Sequence, residues 1–278
     1  MAKVGPSTFR TAAIHAVLLA YSALALFPIL LTAINSFKSR LAIFSAPYSL
    51  PNPKTFTLDG YQNLFTGSRF DIYFLNSFLV TAGALVLILF ASSLAAFALS
   101  EYKFRLNALT SLYLAIGIMV PIRLGTVGIL RLIVDLHLTN TLWSLILVYT
   151  AQGIPLAVFI LTIFMRQLPR DLKDAARIDG ASEYRIYWLI LPLVRPAIGS
   201  VLAISMIPIW NDLWFPLILA PGESTRTLVL GAQTFLGEFA NDYSSVLAAL
   251  TLAILPPVIL YLIFSQQLIR GITAGALK

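Results

Sequence analysis

"IYFLNSFLVTAGALVLILFASSLAAFAL", residues 72–99, contains no charged side chain from end to end. At about 1.5 Å of rise per residue a helix of this run reaches ~42 Å, longer than the ~30 Å hydrocarbon core of a bilayer. A membrane β-barrel needs short alternating segments of about ten residues instead, so an uninterrupted run of this kind reads as helix. Five further stretches have comparable length and character, and with the first they give six expected spans: 12–34, 72–99, 109–136, 142–165, 196–219 and 246–268. The fold class that follows is all-α, a polytopic membrane protein forming a single domain over 1–278.

Composition supports lipid as the main solvent. The 278 residues are 59% hydrophobic and 11% charged, with a mean hydropathy of +0.86, far from soluble globular usage. Cysteine is absent, which excludes disulfides, thiolate chemistry and cysteine-ligated metals. His15 and His137 match no metal or triad spacing, so no metal site and no catalytic residue is expected. The net charge of +7 raises nucleic acid as a partner, but the basic residues fall in short runs between apolar segments, where orientation signals belong. Lys3 and Arg10 ahead of an apolar run that includes "YSALAL" also fit a secretory signal, although the run exceeds an ordinary signal core.

Six spans put both termini on one side. With the termini inside, twelve lysines and arginines face the cytoplasm and six face outward, so the positive-inside rule places both termini in the cytoplasm of a bacterial inner membrane protein. Two outer segments, near 45–70 and 220–245, carry proline, glycine and aromatic turn chemistry and are too short to be domains.

One inside loop, 166–195, departs from the apolar pattern. Within it "DAARIDGASEYRIYWLILP" (174–192) reads as helix, elbow, helix. Asp171 can cap a helix starting at Leu172, Gly180 can end it, Ser182 can cap a second helix, and Pro192 ends or bends that one. Leu172, Ala175, Ala176 and Asp179 fall on one face whose centre is small, so another protein could approach closely. A solvated amphipathic loop resting on lipid headgroups has the same periodicity, and the residues alone leave both readings open.

The loop resembles the EAA loop of ATP-binding-cassette importer permeases: an acid, two alanines, a glycine four residues on and an Ile-x-Pro ten beyond, here Asp174, Ala175, Ala176, Gly180, Ile190 and Pro192. "NTLWSLIL" (140–147), "IPIWNDLWFPLIL" (207–219) and "RGITAGALK" (270–278) resemble the carbohydrate-uptake branch, on the subunit similar to the second maltose-type permease. The resemblance implies that 166–195 is a coupling helix docking into an ATPase subunit. It also implies a second related permease as heterodimer partner, an ATPase dimer, an external solute-binding protein and a sugar-like substrate. The chain has no phosphate-loop motif, so no cofactor is expected on it; ATP and Mg would sit on the partner ATPase. By the same resemblance the tail 270–278, with Gly271, Thr273 and Gly275, would contact the ATPase dimer, whereas a frayed terminus is the default.

Polar groups inside spans are candidates for the substrate path. Asp212 lies beside Asn211, Trp210 and Trp214, and the two tryptophans, four apart, would share a helical face suited to stacking on a sugar ring. An interfacial aromatic belt is the alternative. Arg123, between Pro121 and Gly125 in "MVPIRLGTVGILRLIVD" (119–135), marks an expected break in the third span; it would pair with Asp212 or bind an anionic solute. The competing functions are a permease for an anionic sugar-like or other small polar solute, and a self-sufficient channel or secondary carrier.

Overall fold

The computed structural model describes residues 8–67, 69–238 and 242–276. Among them the chain is helical and has no strand beyond one isolated bridge between Lys38 and Phe56. The helices, numbered in chain order, are α1 (Thr8–Asn35), α2 (Arg40–Ser45), α3 (Asp59–Thr66), α4 (Phe70–Glu101), α5 (Asn107–Met119), α6 (Thr126–Asp135), α7 (Leu142–Gln167), α8 (Arg170–Ile178), α9 (Glu183–Ile190), α10 (Arg195–Trp210), α11 (Trp214–Leu219), α12 (Leu228–Glu238) and α13 (Tyr243–Ala276). Among the described residues five helical stretches are long and apolar enough to cross a membrane, or six where a pair bent by 87° is counted as one span.

Contacts group the chain into two compact units: Met1–Phe70 with Ala232–Ile254, and Asp71–Gly231 with Leu255–Lys278. In the first, α1 leaves its apolar side chains exposed, as suits a helix solvated by lipid. The segment after it is ordered around Lys38, whose buried ammonium donates to Asn35 Oδ1 (3.1 Å), the Ala46 carbonyl (2.9 Å) and the Pro47 carbonyl (3.3 Å). All three donors are satisfied by neutral oxygens, and burial pulls the Lys38 pKa down. Gly60 lies under the Ser244 backbone, where an added Cβ would come within 2.5 Å of the carbonyl oxygen. Asp242 caps α13 by accepting from Ser245 N at 3.1 Å.

In the second unit α4, α7 and α10 supply the core: Ile88, Leu145, Leu161, Ala197 and Val201 are buried. Gly153 of α7 faces Ile88 of α4 so closely that a Cβ would sit 2.4 Å from the isoleucine Cδ1. That lack of a side chain is what lets the two backbones approach.

The break expected in the third span is present, and four other expectations change. The third span, 109–136, is two helical pieces, Asn107–Met119 and Ile122–Asp135, bent by 87° at Val120 and Pro121; the proline has no N–H to continue the ladder. The fifth, 196–219, stops at Trp210, restarts as α11, and begins upstream, because Pro192 sits in a 3₁₀ turn (Leu191–Val194) that carries α9 into α10. Asp171 is not a cap: α8 begins at Arg170, and no side chain caps it. Ser182 holds the cap position of α9 but makes no capping hydrogen bond. Finally, the backbone of α13 stays helical through Ala276, so Gly271, Thr273 and Gly275 lie in helix rather than in a frayed tail; 277–278 lie outside the described residues.

Candidate functional site

The loop 166–195 forms helix, elbow and helix, with turns at Pro169 and Gly180. Pro169 holds Leu168 extended and ends α7, and α8 runs for nine residues to Ile178. Its end is a Schellman motif: Ala181 N–H donates to the Ala176 carbonyl at 2.9 Å and Gly180 N–H to that of Arg177 at 3.0 Å. Gly180 takes φ +77°, and a Cβ there would meet open space, so the backbone angle alone demands glycine.

At 100° per residue α8 presents two opposed faces. Leu172, Ala175, Ala176 and Asp179 form one, exposed or half-buried and without a partner element. Arg170, Lys173, Asp174 and Arg177 form the other, directed at the end of α4. Lys173 is buried, with its ammonium paired to Glu101 and donating to the Met165 carbonyl at 3.3 Å. Arg177 reaches three carboxylates: Glu183 Oε1 at 3.0 Å, Asp174 Oδ1 at 3.1 Å and Glu101 Oε2 at 3.6 Å. Tyr102 donates to Glu183 Oε2 at 2.8 Å.

The hydrogen bonds from Arg177 and then Tyr102 hold the Glu183 carboxyl below its ordinary range. Burial, then the Glu183 carboxylate, pushes the Tyr102 phenol up to about 12. Arg166 Nη2 donates to the Leu99 carbonyl at 3.0 Å, satisfying an orphan acceptor in the last turn of α4, and Tyr187 of α9 shares a 2.8 Å hydrogen bond with Ser93. The loop is therefore fastened to α4 on one side and left bare on the other.

The second polar cluster centres on Asp212, in the gap between α10 and α11. Its Oδ1 accepts from Arg123 Nη2 at 3.4 Å and Trp214 N at 3.2 Å; its Oδ2 accepts from Tyr149 OH at 2.9 Å and Phe215 N at 3.1 Å. Four donors fill a carboxylate's acceptor sites, so Asp212 is saturated from within the chain while capping α11. Trp214 Nε1 donates to Thr126 Oγ1 at 3.0 Å, and that hydroxyl donates to the Arg123 carbonyl at 2.6 Å. One carboxylate thereby ties the break of the third span, the middle of α7 and the break of the fifth.

Arg123, Asp212 and Trp214 meet; the other two residues expected with them do not. The helix break separates Trp210 from Trp214, so they share no helical face: Trp210 is buried and packs edge-on to Phe74 with centroids 5.7 Å apart. Asn211 turns its amide back onto the Ile207 carbonyl at 2.9 Å. The Arg123 side chain, 67% exposed against 8% for Asp212, opens on a cavity of about 840 Å³ lined also by Tyr113, Pro121 and Gln152, in which it is the one charged lining residue.

Both clusters fall inside residues 87–274, the part of the chain that matches the family described as binding-protein-dependent transport system inner membrane component. The chain belongs to this family. A putative ABC transporter permease protein, ORF2, of Caldicellulosiruptor sp. (strain Rt8B.4) is 36% identical to this family member over 252 residues, covering 90% of this chain and 91% of the relative. The arabinooligosaccharides transport system permease protein AraQ of Bacillus subtilis is 33% identical over 260 residues, 92% of each. The diacetylchitobiose uptake system permease protein NgcG of Streptomyces coelicolor is 30% identical over 273 residues, covering 97% and 90%. A chain of a bacterial ABC transporter involved in the import of the acidic polysaccharide alginate shares the fold, with a TM-score of 0.82 at 20% identity over 96% of this chain and 99% of that one.

Sequence reading of this inner membrane component missed Glu101, Tyr102, Lys173 and Glu183 around the loop, and Thr126 and Tyr149 around Asp212. Glu101 did carry a signal, as an acid standing at the end of the longest uncharged run. Tyr149 and Thr126 carried none, because a hydroxyl inside an apolar helix ordinarily bonds its own preceding turn.

Proposed function

We propose that this permease is one membrane-spanning subunit of an ATP-driven importer for a sugar or sugar derivative. The observation that carries this reading is the bare Leu172, Ala175, Ala176 and Asp179 face of α8, backed by the buried Lys173–Glu101 pair. Small side chains at its centre let a closing cleft approach, and the ion pair behind it transmits displacement to α4 rather than absorbing it. On this reading Ile190 and Pro192 carry the movement from α9 into α10.

Hydrolysis of ATP with Mg belongs to a separate ATPase dimer, a second related permease completes the pore, and an external solute-binding protein delivers the cargo. Both termini face the cytoplasm, and Gly271, Thr273 and Gly275 on α13 touch the ATPase. The names of relatives that handle arabinooligosaccharides and diacetylchitobiose support a carbohydrate cargo. Trp214 and the exposed edge of Arg123 are the groups offered to it; Asp212 positions them, and Trp210 and Asn211 shape the wall.

The test is co-purification of an ATPase subunit with the native permease and with Ala176→Trp. Retention by the native chain, loss in the variant and unchanged thermal stability are expected. An ATPase that stays bound to Ala176→Trp refutes the docking face, and a permease that transports without any ATPase refutes the class.

A further inference from the structure

Behind the bare face of α8 lies a cavity of about 930 Å³, walled by the end of α4, the start of α5, the end of α7 and the inward face of α8. Six lining side chains are cations, Lys103, Arg105, Arg166, Arg170, Lys173 and Arg177, against two carboxylates, Glu101 and Asp174. Those carboxylates are already engaged by Lys173 and Arg177, and Arg166 spends Nη2 on the Leu99 carbonyl. Lys103, Arg105 and Arg170 are exposed, and no carboxylate among the described residues pairs with them. A concave surface with this excess of unneutralised cations fits a phosphate-bearing anion.

The neighbouring space says which kind. An apolar slot of about 180 Å³ runs between α5 and α7, lined by Leu114, Ala115, Val158 and Phe159, and it shares Leu99 and Arg166 with the charged cavity. No residue of α5 is buried within the chain, so the slot lies along an exposed apolar helix. Thr162, on the slot wall, is nine-tenths buried and its hydroxyl has no hydrogen-bond partner among the described residues. A charged mouth continuous with an apolar slot matches a molecule that has an anionic head and an acyl chain, and the Thr162 hydroxyl needs an acceptor that an ester carbonyl between the two supplies.

We propose that cavity and slot form a site for an anionic phospholipid, with its phosphate among Lys103, Arg105 and Arg170 and one acyl chain between α5 and α7. The phosphate seats beside Asp174 and Arg177, on the inward face of α8, so the anion content of the membrane sets how firmly that helix is held. The binding itself stands independently of the importer reading; only this consequence rests on it.

The test measures binding of fluorescent short-chain phosphatidylglycerol and phosphatidylcholine to the full-length permease, purified with its partner subunits. The native chain prefers phosphatidylglycerol. The triple variant Lys103→Gln, Arg105→Gln, Arg170→Gln loses that preference by roughly a hundredfold, about fivefold for each cation removed. The charge-retaining Lys103→Arg, Arg105→Lys, Arg170→Lys keeps it, and Ala115→Trp, which fills the slot, loses lipid while still binding inorganic phosphate.

Equal binding of the two lipids by the native chain, or a triple variant that behaves as the native, overturns the proposal. Displacement of phosphatidylglycerol by equimolar inorganic phosphate also overturns it and reassigns the cavity to a soluble anion. ATP-driven import in the same preparations separates the two claims: intact import without lipid preference refutes this site alone.

Discussion

Lys173 and Glu101 are exposed by only 5% and 7%, and the two substitutions that separate them should not cost the same. Glu101→Gln takes the countercharge from the buried Lys173 ammonium and leaves it neutral acceptors only, the new amide oxygen and the Met165 carbonyl at 3.3 Å, the situation in which a buried pair costs about 3–5 kcal/mol to break. Lys173→Met leaves Glu101 with a second cation, Arg177, 3.6 Å from Oε2. At that distance the gross attraction is about 4–5 kcal/mol for an effective dielectric of 20, reduced by the partial exposure of Arg177, so the net loss should be about 1–3 kcal/mol. The double variant removes both desolvated charges and should be more stable than Glu101→Gln alone, by about 1–2 kcal/mol. Denaturant unfolding of all four proteins in one detergent, with ATPase stimulation measured alongside, checks the series. Equal single losses, a reversed order or simple additivity would refute the assignment of Arg177 as the reserve partner.

Gly180→Ala meets no clash and should lose only the left-handed backbone strain, about 1–2 kcal/mol, with Gly180→Asn losing less; unfolding midpoints of the two variants decide it. Tyr149→Phe removes one of four bonds to Asp212 and should cost about 1 kcal/mol, whereas Asp212→Ala also uncaps α11 and should lower transport more than Tyr149→Phe in a solute-uptake assay. For pH, the Glu183 pKa is lowered, so its contribution is complete above the ordinary carboxylate range and is lost as pH falls through that range and below it. The Tyr102 pKa is raised from 10.0 to about 12, so its contribution is complete below pH 10 and is lost between pH 10 and about 12. Stability should thus be flat from pH 6 to 8 on account of both groups, and Tyr102→Phe should abolish the alkaline limb and, by removing one donor to Glu183, shrink the acid limb as well.

The spans were legible because apolar length is written directly in composition: 72–99 lies inside the observed Phe70–Glu101. The break at Pro121 was legible as a proline followed by Arg123 and Gly125, although its 87° angle was not, since packing sets angles. The break after Trp210 lacked a glycine or proline at its hinge. Its signal was subtler, an aspartate two residues ahead of "WFPLIL" that accepts from the first N–H groups of a new helix. Missing it put Trp210 and Trp214 on one face.

On α8 the elbow was legible in Gly180, the start at Arg170 was not, and nothing local marks Lys173 as buried. Its partner, Glu101, stands 72 residues away, and only tertiary packing brings the two together.

On the proposed reading, the two faces of α8 divide recognition from anchorage within ten residues, 170–179. Leu172, Ala175, Ala176 and Asp179 meet whatever docks there, while Lys173 and Arg177, on the opposite face, hold the helix to the end of α4 through Glu101. The outward set is therefore free to diverge with a new motor while the inward set stays with the pore. Grafting Leu172, Ala175, Ala176 and Asp179 from one permease onto another is the smallest exchange that would redirect which engine drives which cargo.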